Sequence, residues 1–145
     1  MKLKNTTSLD DSLIREVVQF ANPNNSLRGV AINVKNTEWV GARGMCYWGV
    51  PSMSPHSKDP AVKRLITIGI NCKTTFPWIW QTGLKRVPDF EVRTIEELLV
   101  AIVAHELRHA YQGDHDKPKS EVDCERFAQK RVLKWRGANH LRPLA

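Results

Sequence analysis

Residues 94–112 read "TIEELLVAIVAHELRHAYQ", and both the fold and the chemistry of the chain turn on that stretch. Thr94 followed by Glu97 makes a capping box, Glu96 and Glu97 suit the positive end of a helix dipole, and no residue from Ile95 to Gln112 is glycine or proline. From Leu98 to Ala104 every residue is apolar, so the helix is expected to run through a core and not across a surface. Into that setting the sequence carries His105, Glu106 and His109. Residues four apart stand one turn apart on one helix face, so both histidines can aim a ring nitrogen at one Zn²⁺. Glu106, rotated by about 100° from His105, can reach a water beside that ion and act as general base. Buried imidazoles without partners would be costly, which counts against a purely structural pair.

A catalytic zinc takes three protein ligands and keeps one position open, so a third ligand must come from elsewhere. Ser120 with Asp123 caps a last helix, "EVDCERFAQKRVLKWR", over 121–136. On it Glu121 shares a side with Cys124, Ala128, Val132 and Trp135, the side expected to pack inward, while Asp123 is expected to face solvent. Glu125, about 40° from Glu121, could be a ligand or could accept a histidine N–H. His115 competes for the third place. It follows His109 by six residues, the spacing of His-Glu-x-x-His-x-x-Gly-x-x-His, although Gln112 occupies the glycine position and no methionine follows. Tyr111, His115 and His140 are the candidates for stabilising an oxyanion.

The remaining sequence frames that site. At 145 residues, 41% hydrophobic and 26% charged, the chain fits one domain over 1–145, with 137–145 a loose tail. The amino terminus lacks the pattern of a signal peptide, no stretch is long enough to cross a bilayer, and Cys46, Cys72 and Cys124 are far apart; the expectation is a soluble cytoplasmic protein. A net charge of +7, with cations in "VKR", "LKR" and "QKRVLKWR", raises a nucleic-acid partner through a basic surface. Ser8 with Asp11 predicts a capped first helix whose Leu9, Leu13, Val17 and Phe20 recur at helical spacing. "LRGVAINV" and "EWVGARGMCYWG", separated by "KNT", suggest two paired strands, and "KRLITIGIN" alternates as a strand with Ile66, Ile68 and Ile70 on its buried face. Residues 73–93 show no period and are expected to be irregular. The fold class is α+β.

"HELRHAYQ" followed after a short loop by "EVDCERFA" resembles the gluzincin arm of the zincin metallopeptidases, in particular the small bacterial and phage domains of the ImmA/IrrE type. Their third-ligand glutamate falls on Glu121 and their Phe-Ala on Phe127 and Ala128, with Cys124 standing where they have Ala and Glu125 where they have Asn or Asp. The resemblance implies a zincin-like fold, with a small mixed or antiparallel sheet packed on an N-terminal helix, the active-site helix and a C-terminal helix. It implies one Zn²⁺ per chain on His105, His109 and Glu121, Glu106 as base, and peptide-bond hydrolysis. It also implies an extended polypeptide substrate pairing with a sheet edge such as "KRLITIGIN" or a neighbouring strand. Trp78 and Trp80 would then pack substrate at the cleft mouth or anchor their own loop in the core. A second resemblance, to SprT-like proteases acting on DNA-bound substrates, would make His115 the third ligand. Two further readings use the same residues: a basic nucleic-acid- or protein-binding module on this scaffold, and a structural zinc closed by His105, His109, Glu121 and His115.

Overall fold

The computed structural model describes residues 1–140, the side chains of 139 and 140 excepted. Its elements are strands β1 (Lys2–Asn5), β2 (Val30–Asn36), β3 (Ala42–Tyr47), β4 (Arg64–Ile70), β5 (Trp78–Trp80) and β6 (Phe90–Val92), and helices α1 (Asp11–Ala21), α2 (Ile95–Asp114) and α3 (Glu121–His140). The architecture is α+β, with two sheets. β1, β2 and β4 run parallel and β3 closes one edge antiparallel, in the order β1-β2-β4-β3; β5 and β6 form a separate antiparallel ribbon.

Apolar alternation sets the faces. Val30, Ile32 and Val34 of β2 and Ile66, Ile68 and Ile70 of β4 point to the helical side and are buried with Ile14, Val17, Val18 and Ala21 of α1. Against them lies α2, in which every residue from Leu98 to Ala104 is buried, as the uninterrupted apolar run requires. Each such leucine, isoleucine or valine contributes roughly 1.5–3 kcal/mol by leaving water. Thr94 Oγ1 accepts the Glu97 N–H at 3.1 Å, and Glu97 Oε1 accepts the N–H of Arg93, one residue before the cap. α3 packs Cys124, Ala128, Val132 and Trp135 inward, on the side its periodicity predicts.

Several expectations change. The first helix is capped by Asp10, whose Oδ1 accepts the Ser12 N–H at 3.0 Å, and not by Ser8. β1, with its "KLKN" of two lysines, carries no strand signal beyond a half-buried Leu3, yet it pairs with β2 from Lys2↔Ala31 to Asn5↔Val34. β2 and β3 are not partners: β4 lies between them, pairing with each. "KRLITIGIN" is therefore interior, and the two edges belong to β1 and β3. The segment 73–93 holds the β5-β6 ribbon, where Trp80 stacks on Phe90 at 5.8 Å. α2 runs one residue past Gly113, and α3 continues through residues 137–140, where a loose tail was expected; residues 141–145 of that tail lie outside the described residues.

Candidate metal centre

The last three turns of α2 and the first two of α3 meet at their polar positions. His105 and His109 are buried on one face of α2, their ring centroids 4.9 Å apart. From the start of α3 the half-exposed Glu121 reaches both: Oε2 lies 3.1 Å from His105 Nε2 and Oε1 lies 3.0 Å from His109 Nε2. Cys124, one turn further on, is fully buried, and ligand atoms of His105, His109 and Cys124 all lie within 4.8 Å of one another. This buried group could hold a metal ion. The donors fit one: two imidazoles with a carboxylate or a thiol are borderline-soft ligands, and both Nε2 atoms face the same Glu121 carboxylate, one to each oxygen.

Each imidazole is held from behind. Gln112 Oε1 lies 3.1 Å from His109 Nδ1, and Gln112 Nε2 donates to Ser120 O at 3.1 Å and to Asp123 Oδ2 at 3.0 Å, tying the end of α2 to the start of α3. Glu125 Oε1 lies 3.2 Å from the buried His105 Nδ1, off the line of a straight hydrogen bond, while its Oε2 accepts the Trp80 indole N–H at 2.7 Å. Both rings thus turn Nε2 toward Glu121, with His109 Nδ1 held by Gln112 and His105 Nδ1 facing Glu125. Asp123, expected in solvent, instead takes a two-point contact from Arg108, 2.7 Å at Nε and 3.1 Å at Nη2, which holds its carboxyl below the usual range.

Glu106 sits nearly buried beside this group, Oε1 3.9 Å from His105 Nε2. It fits because β3 has a glycine opposite: a Cβ on Gly44 would come within 2.7 Å of Glu106 Cγ. Burial, opposed by His105, pushes the Glu106 carboxyl up to about 7. Burial also acts to lower His105, but Glu125, Glu106 and Glu121 together raise it above its ordinary value. His109 stays below its ordinary value because burial outweighs Glu121. Cys46, facing the same space from β3, is pushed up to about 12 by burial and then by Glu106, and the Cys124 thiol is raised chiefly by burial.

The group opens on a cleft of about 490 Å³ between β3 and α2, with His105, Glu106, His109 and Glu121 on one side, Gly44 and Cys46 on the other, and Lys119 at the rim. Trp48 walls one end, its indole N–H donating to His109 O at 3.1 Å over Gly113. A larger hollow of about 790 Å³, between Lys2, Arg28 and Lys63, contains none of these groups.

The structure thus brings together His105, Glu106, His109, Glu121 and Glu125. It does not bring His115 or Tyr111: the His115 ring stacks on Tyr111 at 4.2 Å, its Nδ1 faces Tyr111 O at 3.0 Å, and neither residue lines the cleft. The side chain of His140 lies outside the described residues. Trp80 is an anchor for Glu125, and not part of the mouth of this cleft. Sequence reasoning missed Cys124 as a donor and Gln112 as the partner of His109; the i, i+3 spacing of His109 and Gln112 was the available signal. Comparison with protein families, curated proteins and solved structures finds no match for this chain. Among the described residues no helix is long and apolar enough to cross a membrane.

Proposed function

We propose that the chain is a zincin-like, zinc-dependent peptidase acting in the cytoplasm, with one Zn²⁺ per chain on His105, His109 and Glu121 and with Glu106 as general base. The observation that carries this reading is the pair of contacts from one Glu121 carboxylate to both histidine Nε2 atoms, at 3.1 and 3.0 Å, on the wall of an open cleft. The chemistry Zn²⁺ supplies when bound is Lewis-acid polarisation of a carbonyl and a lowered pKa of water.

The chain's own groups do the rest. Burial acts to hold the Glu106 carboxyl above its ordinary range, which strengthens it as a base for taking a proton from water and returning it to a leaving amine. Gln112 and Glu125 stand behind the imidazoles, which turn Nε2 toward Glu121. β3 is an edge of its sheet, so one row of its main-chain groups has no strand partner and can pair with an extended polypeptide laid along the cleft.

A second reading is favoured by Cys124. A metal held by His105, His109, Glu121 and the Cys124 thiolate together would have four protein ligands and no open position, which is a structural site. Hydrolysis of an unfolded protein substrate by zinc-loaded protein separates the two. The peptidase reading expects turnover that falls on the order of 10²-fold or more in Glu106→Gln with zinc retained; equal turnover in that variant removes Glu106 as base, and no turnover in the wild type favours the structural site.

A further inference from the structure

The C-terminal two-thirds of α3 carries a feature the metal centre does not use. Arg126, Lys130 and Lys134 recur every four residues and are all exposed, so they form one row along the helix, about 6 Å apart in rise. Arg126 Nη2 reaches Arg86 O at 3.5 Å, which sets the exposed Lys85 and Arg86 of the β5-β6 loop beside the start of that row. Among the described residues none of these five cations pairs with a carboxylate. The acids of α3 are Glu121, Asp123 and Glu125, all in its first two turns and all engaged with α2, and Asp89 of the loop is turned back to accept the Thr82 N–H at 2.9 Å. The other cations of the helix are used internally: Arg131 lies over Phe127 and Phe20, and Arg136 pairs with Glu97 at 2.7 Å.

Five exposed cations without a carboxylate partner raise the positive potential along this strip. We propose that this strip, Arg126, Lys130 and Lys134 with Lys85 and Arg86, binds the phosphate backbone of nucleic acid without reading its sequence. A row of point charges matches a line of phosphates, and the chain's net charge of +7 favours the encounter. Leu133 is the one large apolar side chain exposed on α3 among the described residues, so the strip offers a bilayer little to insert. The site is separate from the metal centre and does not rest on the peptidase reading.

Fluorescence anisotropy on the full chain tests it, with a labelled duplex of about 20 base pairs and the matching single strand across roughly 50–200 mM salt. The expected result is sequence-independent binding whose log–log salt slope is about −4.5 on the duplex and about −3.5 on the single strand, for five neutralised phosphates. Arg126→Gln/Lys130→Gln/Lys134→Gln, with an unchanged circular dichroism spectrum, should weaken binding at least about tenfold and make the slope shallower by about two to three, roughly one for each phosphate left without its cation. Lys85→Gln/Arg86→Gln gives a smaller loss of the same kind and keeps the test valid if the helix variant fails to fold. The proposal is overturned by no binding at the lowest salt, by binding that neither variant changes, or by polyglutamate or anionic vesicles binding as tightly as nucleic acid.

Discussion

The two faces of the last turns of α2 carry nearly the same chemistry and have opposite fates. On one, His105 and His109 are buried, backed by Glu125 and Gln112, and joined by Glu121. On the other, Tyr111 stacks with His115 beyond the end of the helix, and the Arg108 guanidinium covers the Tyr111 ring at 4.6 Å. A histidine becomes a candidate ligand here through what stands behind and opposite it, not through its distance in sequence from the motif. His115 has the spacing of a third ligand, yet it is the C-cap of α2, where its ring meets the Tyr111 carbonyl. Glu121 lies twelve residues beyond His109 but opens the helix that packs against α2.

The largest effect expected is on the buried face. His105→Ala and His109→Ala should each abolish stoichiometric zinc uptake and lower the melting temperature of zinc-treated protein toward that of the metal-free form, because metal affinity is folding free energy; a full equivalent of zinc in either variant would erase the contrast between the faces.

Next comes Glu106 in metal-free protein. Its folded pKa, about 7, lies above its ordinary 4.5, so the folded state holds a proton that the unfolded state releases, and stability should fall as pH rises through that window and level off above it. Glu106→Gln should therefore be more stable than wild type at pH 8 by up to about 3 kcal/mol and nearly equal to it at about pH 4, as read by urea unfolding at both values. A gain of the same size at the lower pH would place its cause elsewhere.

Gly44→Ala should cost about 1–3 kcal/mol, since the new Cβ must displace Glu106, and should disturb hydrolysis more than zinc content; unchanged stability would mean that Glu106 is free to move. His115→Ala should change zinc content not at all and stability by less than about 0.5 kcal/mol. Zinc loss in that variant would bring the two faces together and revive His115 as ligand.

Much of this was legible in sequence. α2 announces itself by its cap and apolar run, β4 by its alternating isoleucines, and the inward side of α3 by the period of Cys124, Ala128, Val132 and Trp135. Strand pairing was not legible. "LRGVAINV" and "EWVGARGMCYWG" have strand composition, but nothing local to either says that β4, which follows both in the chain, will lie between them. β1 is too short and too charged to signal, and the β5-β6 ribbon joins two three-residue strands whose apolar faces are defined only by Phe90, Trp80 and the core they meet. At the site, Glu121 could be found from helix phase, whereas Cys124 read as core and Gln112 as a broken motif. Their roles depend on the angle at which α3 crosses α2, which no local pattern encodes.

Zinc content by elemental analysis tests the proposed metal centre, on protein prepared without chelator or affinity-tag metal, with wild type beside Glu121→Ala, Cys124→Ala and His115→Ala. One zinc per chain is expected in the wild type, in Cys124→Ala and in His115→Ala, with loss confined to Glu121→Ala. Zinc lost in Cys124→Ala would make the site a closed structural one, and a wild type that takes up no zinc would remove both the metal site and the peptidase reading.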